Sequence, residues 1–199
     1  MNRLILLSVG VLVFTGLWRV SADAQQTPDD GPRYAEDGRL NRPQNYREWV
    51  CLTSGLGMTY GPAGAGSSPG NFDNVFVSRP AYLGFKTTGK WPAQTMFVLE
   101  IRRADQHVSI NNGGYSQGDL VALEVSVKDE SRFPETGWAY FDFGAGTTPS
   151  VAALPRSATC YGCHRQNTAV EWTFVQFYPT LMGIARRLGT VKSDYVERR

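Results

Sequence analysis

Alternation with a period of two dominates the middle of the chain. In QTMFVLEIRR (Gln94 to Arg103), Phe97, Leu99 and Ile101 fall on one face, because successive strand side chains point to opposite sides. In DLVALEVSVK (Asp119 to Lys128), Val121, Leu123, Val125 and Val127 form an apolar face, with Ala122, Glu124 and Ser126 opposite. FDNVFVS (Phe72 to Ser78) and GWAYFDF (Gly137 to Phe143) read as two further strands. YREWVCLTSGL (Tyr46 to Leu56) is the first ordered element, a helix turn or a strand. A short helical piece runs from Pro80 to Thr87, and Asp105 to Tyr115, with its Asn-Asn-Gly-Gly, is a turn or loop. Gly61 to Asn71 and Gly144 to Arg156 are Gly/Pro-rich loops. Val170 to Leu188 reads as a helix interrupted at Pro179. Ser157 or Thr159 is the expected cap of a helix just before it. The pattern predicts an α+β domain: a predominantly antiparallel β-sheet, short helices, and a helical C-terminal segment. Its 21 Gly and 11 Pro agree with a turn-rich fold.

The opening residues have a different character. Arg3 precedes an apolar run from Leu4 to Trp18, and Ala22-Asp23-Ala24 is a small-x-small pattern. Residues 1–24 are therefore read as a signal peptide cut near Ala24, which predicts an exported, periplasmic protein. The apolar run is about 15 residues, short of the ~20 a membrane helix needs; an uncleaved anchor is the alternative. Residues 25–44 are expected to be a flexible leader and residues 45–199 the folded domain. Losing Arg3, Arg19 and Asp23 takes the formal charge from +2 to about +1. Such a near-neutral chain lacks the basic footprint of a nucleic-acid binder.

One motif carries chemistry. Cys160-Tyr161-Gly162-Cys163-His164 is the haem-attachment signature. Two thiols three positions apart can reach the two vinyl groups of one porphyrin edge, and His164 then turns its imidazole onto the iron. The expectation is one covalent haem c, with thioethers at Cys160 and Cys163 and His164 as axial ligand. The second ring nitrogen of His164 should donate to a backbone carbonyl or a carboxylate. Three other readings stay open: a Cys160–Cys163 disulfide, a redox-active Cys-x-x-Cys, and a zinc site that recruits further ligands from Cys51, His107 and His164. A second axial ligand would come from His107, Met58, Met96 or Met182; the expectation is an open distal face. Cys51, between Val50 and Leu52, is expected to be buried and inert. Trp49, Trp138 and Trp172 are expected in the core or against the haem, and Arg186-Arg187 in solvent.

The motif and its surroundings resemble the cytochrome P-460 and cytochrome c′-beta family. The resemblance runs from Asn45 to about Leu181. It rests on Asn45 to Val50 (NYREWV), Gly118 to Asp129 (GDLVALEVSVKD), Arg132-Phe133, Trp138-Ala139, the Cys160–His164 motif, and Phe174, Phe177-Tyr178-Pro179 and Leu181. It implies a mostly antiparallel β fold, often dimeric, with five-coordinate haem. In one branch the enzyme oxidises hydroxylamine; there a lysine is bonded to the porphyrin and a distal glutamate accepts protons. In the other branch an apolar pocket binds nitric oxide or carbon monoxide. Glu124 matches the distal glutamate, whose role would be that of a general base. Leu99 falls at the cross-link lysine and Asp73 at a distal arginine, so the sequence departs from the hydroxylamine-oxidising pattern. Phe97 and Leu99 would then give the haem an apolar cap. The expected partners are a small diatomic ligand or hydroxylamine, and an unidentified redox partner.

Overall fold

The computed structural model describes residues 30–60 and 69–197. The signal segment, the start of the leader and most of the Gly61–Asn71 loop lie outside the described residues. Seven strands form, β1 (Leu40–Asn41), β2 (Val50–Leu56), β3 (Asn71–Val77), β4 (Met96–Asp105), β5 (Ser116–Lys128), β6 (Trp138–Asp142) and β7 (Ser150–Val151). The helices are α1 (Arg79–Thr88), α2 (Thr159–Asn167) and α3 (Met182–Arg187). Strands β2 to β6 make one antiparallel meander in chain order, and β1 pairs with β7 in a small separate ladder. The architecture is α+β with a mostly antiparallel sheet, as the alternation predicted.

Both faces of the meander are covered, by different parts of the chain. On one face Met96, Val98, Leu123, Val125, Val127 and Phe141 pack with Leu40 and Tyr46 from the N-terminal segment. On the other, Phe97 and Val77 pack with Phe85 of α1, Trp91, and Val170, Val175, Tyr178 and Leu181 of the C-terminal segment. Each large apolar side chain buried in this way contributes about 1.5–3 kcal/mol. Helix α1 sits where Pro80 starts it and Gly89 stops it. At φ 71° that glycine takes the left-handed conformation and returns its N–H to Phe85 O (2.7 Å).

Several local expectations are revised. Tyr46 to Leu56 is both things at once: a single 3-10 turn over Tyr46–Glu48, then β2. The tail is not a helix broken at Pro179. It is a tight turn bridging Val170 to Thr173, a 3-10 turn at Val175–Phe177, and the six-residue α3. Its apolar residues are spent on the sheet's second face and do not keep a helical period. Ala158, and neither Ser157 nor Thr159, takes the cap position of α2, with no side-chain capping bond. Cys51 is exposed, because on edge strand β2 its neighbour Leu52 takes the inward position. Val121 is 43% exposed, lying on β5 beyond the part that the N-terminal segment covers.

Glu100 fastens the N-terminal segment to the sheet. Its carboxylate is fully buried and accepts from Tyr46 Oη (2.9 Å) and Arg47 Nη2 (2.7 Å to each oxygen), with Arg102 Nε 3.0 Å away as an ion-pair partner. Lost hydration alone would raise its pKa; Arg47, Tyr46 and Arg102 together outweigh this and hold it below the ordinary 4.5. The stabilisation is therefore complete above 4.5 and is lost as pH falls through the depressed value. Glu100→Ala should lower stability by about 3 kcal/mol, the low end for a broken buried ion pair, since water still reaches Arg47. Chemical denaturation at neutral pH measures this loss, which should shrink in acid.

Candidate haem-binding site

Cross-strand register builds one wall of the site. Val75 pairs with Leu99, Leu99 with Glu124, and Glu124 with Asp142. Directly opposed residues share a face, so these four side chains form a row across β3 to β6. The adjacent row carries Phe97, Ser126 and Tyr140. Both rows line a cavity of about 500 Å³, the size of a small-molecule or cofactor site. Helix α2 forms the facing wall with Thr159, Cys160, Cys163 and His164, joined by Phe174, Phe177 and Tyr178. Cys160 and Cys163 sit three positions apart on one helix, so both thiols face the same way.

His164 is held by its second nitrogen. Nδ1 lies 2.7 Å from Trp172 O and donates to it, which leaves Nε2 as the free ring nitrogen. The ring packs between Tyr140 (centroids 4.5 Å) and Phe174 (4.6 Å). Burial lowers its pKa, opposed by the bond to Trp172 O, so the ring is kept neutral and ready to ligate a metal. Trp172 O is aimed by the turn at Val170–Thr173, whose first central residue, Glu171, has φ 49°. That conformation costs a residue with a Cβ about 1–2 kcal/mol. Glu171 is held there by Lys128 Nζ (2.8 Å), by the Trp91 N–H (3.2 Å) and by Thr168 Oγ1 on its own carbonyl (3.1 Å).

The cavity carries carboxylates at one edge. Glu124 is open to the cavity, yet enough protein surrounds it that lost hydration raises its pKa, with Asp142 and Asp73 adding repulsion. Burial raises that of Asp73 too. Burial and the Glu124 charge push the Cys160 thiol up. A raised thiol pKa on an antiparallel scaffold is the opposite of an activated Cys-x-x-Cys. Cys160 and Cys163 are not joined to each other. Among the described residues no three His, Cys, Asp or Glu side chains converge as a metal-ligand set.

The structure thus brings Cys160, Cys163, His164, Glu124, Phe97 and Leu99 to one cavity. Phe97 also packs edge-on against Trp91 (4.7 Å), so it serves the core as well. His107 lies in an exposed loop away from the cavity; Met96 and Met182 are buried in the two cores. Met58 does line the cavity, with its sulfur lying over the bare Cα of Gly55. Among the described residues none of the lysines lines it. Tyr140, Asp142 and the Trp172 carbonyl were not foreseen as site groups. Tyr140 lies on the cavity face by alternation, which its strand pattern did carry.

A haem fits these residues. The lining is mostly apolar, both thiols and Nε2 of His164 share one wall, and the buried Tyr140 hydroxyl has no partner among the described residues. The attachment motif on α2, set against a sheet-built pocket, is the site of a haem c cytochrome. The chain belongs to the cytochrome P460 family, whose model matches residues 43–175. No individual curated protein matches it.

The raised pKa of Glu124 gives a test of the site's electrostatics. A carboxyl whose folded pKa exceeds 4.5 loses its stabilising contribution as pH rises through the raised value. Glu124→Gln should therefore melt higher than the parent above that range and level with it below 4.5. Thermal melts of the ferrous protein, whose iron–porphyrin core has no net charge, measure the difference.

Proposed function

We propose that the protein is an exported monohaem cytochrome that binds nitric oxide or a similar small ligand at an open distal iron face. Thioethers from Cys160 and Cys163 fix the porphyrin, and His164 Nε2 is the protein's one axial ligand. The observation that carries this reading is the row Val75–Leu99–Glu124 on the sheet wall facing α2. With Phe97 beside it and Asp142 at its end, that row offers apolar surface and carboxylates, and no imidazole or amine, to the cavity. The iron supplies a site for one small ligand and one electron. Phe97, Leu99 and Val75 would present a bound diatomic with an apolar surface that itself offers no hydrogen bond, which favours nitric oxide or carbon monoxide over dioxygen. Residues 1–24 act in export.

The position of Glu124 favours a second reading, hydroxylamine oxidation. There the Glu124 carboxylate would accept a proton from a ligand N–H or O–H, its raised pKa suiting it to the task. Leu99 at the centre of the wall speaks against it, since leucine cannot bond to the porphyrin edge.

Absorption and resonance Raman spectra of the ferric, ferrous and nitrosyl forms decide between these. The expected result is high-spin, five-coordinate ferrous haem that takes up nitric oxide, with no porphyrin cross-link. Low-spin, six-coordinate spectra in both oxidation states, without nitric oxide binding, contradict the proposal and point to Met58 as sixth ligand. Turnover of hydroxylamine should match that of a free haem peptide; activity that falls about 10²-fold or more in Glu124→Ala transfers the assignment to the second reading.

A further inference from the structure

We propose that Lys128 and Glu171 are positioning residues for the iron ligand: their ion pair pins the turn that holds the Trp172 carbonyl on His164. The inference rests on His164 ligating the haem, and is independent of whether the distal face is open.

The turn is a poor one for its sequence. Thr173 returns its N–H to Val170 O (2.9 Å), and Glu171 occupies the left-handed position where glycine is the usual choice. Left to itself, this segment would relax. Three separate parts of the molecule prevent that. Lys128, at the end of β5, binds Glu171 Oε1 (2.8 Å) and also Trp91 O (2.7 Å). The Trp91 N–H, from the connection between α1 and β4, binds Oε2 (3.2 Å). Thr168, at the end of α2, binds the Glu171 carbonyl, and Trp91 Nε1 binds Thr173 Oγ1 (2.8 Å). The residue next to this anchor is Trp172, whose carbonyl meets His164 Nδ1 at 2.7 Å.

Lys128 is 8% exposed, and burying an ion pair is a weak route to stability because desolvation offsets the attraction. What the pair supplies is placement. A carbonyl that accepts from the far nitrogen of a metal-bound imidazole makes the near nitrogen a stronger donor. Stronger donation favours ferric over ferrous iron and strengthens the iron–histidine bond. Loosening the turn should weaken both effects, although neither Lys128 nor Glu171 is recorded touching His164.

The experiment uses the haem-loaded protein with Lys128→Met, Glu171→Gln, the double variant and Lys128→Arg. Redox titration and the iron–histidine band of the ferrous Raman spectrum are read on each. The expected result is a raised potential and a lowered band in both single variants. The double variant should add little, as for residues acting through one unit. Lys128→Arg, which keeps the charge, should stay nearer the parent than Lys128→Met. Potential and band unchanged in folded variants that merely melt lower would overturn the proposal and leave a structural tie. Should Lys128→Met fail to fold, Glu171→Gln decides alone, since it keeps the side chain's shape and its bond from the Trp91 N–H. A parent without an iron–histidine band, being six-coordinate, defeats the open distal face; the potentials then still decide the positioning claim.

Discussion

A five-stranded meander has two faces to bury, and the two-residue period of β4 and β5, unbroken over Met96–Ile101, divides the work between them. Met96, Val98, Leu123, Val125 and Val127 go one way, into a packed layer closed by Leu40 and Tyr46. Phe97, Leu99, Glu124 and Ser126 go the other way, towards the C-terminal segment. That segment covers its face incompletely. Tyr178, Leu181 and Val175 fill one part as core, while α2 stands off from the rest and leaves the cavity. A slip of one residue in either strand would exchange the two sets, putting Glu124 in a core and Val125 in the cavity. The site depends on that register more than on any single contact.

The His164 side of the cavity is built with more restraint than the part lined by Leu99 and Phe97. His164 is fixed through a hydrogen bond, two aromatic neighbours and a turn anchored by a buried ion pair. Elsewhere on the sheet the cavity presents Leu99 and Phe97, with the carboxylates of Glu124 and Asp73 also in its lining. On the function proposed above, this asymmetry would hold the one protein ligand steady while the other face exchanges small molecules.

Much of this was legible because it is written in periods and spacings. Strands β4 and β5 follow from alternation, the attachment motif from Cys160, Cys163 and His164, and the cavity face of β4 and β5 from which residues share parity with Glu124. What was not legible depends on which surface a segment meets. Val170 to Leu181 holds enough apolar residues to suggest a helix, but Val170, Val175, Tyr178 and Leu181 are placed one at a time against the sheet. Cys51 follows the edge position of β2, and Val121 the limit of the N-terminal cover. Lys128 ends a strand whose pattern does not mark it as buried; its ion pair is with Glu171, whose left-handed backbone no residue pattern announces. The acceptor for His164 is a backbone carbonyl, which has no signature of its own.

The account stands on a porphyrin joined to α2 through both thiols. Mass spectrometry of the mature protein, made in a host that matures c-type cytochromes, tests this together with the alkaline pyridine spectrum. The account predicts a chain beginning near Gln25, heavier by one haem that acidified solvent does not extract, with both vinyl groups saturated. A colourless chain of unmodified mass, or a haem that is extracted and leaves Cys160 and Cys163 as free thiols, would contradict it.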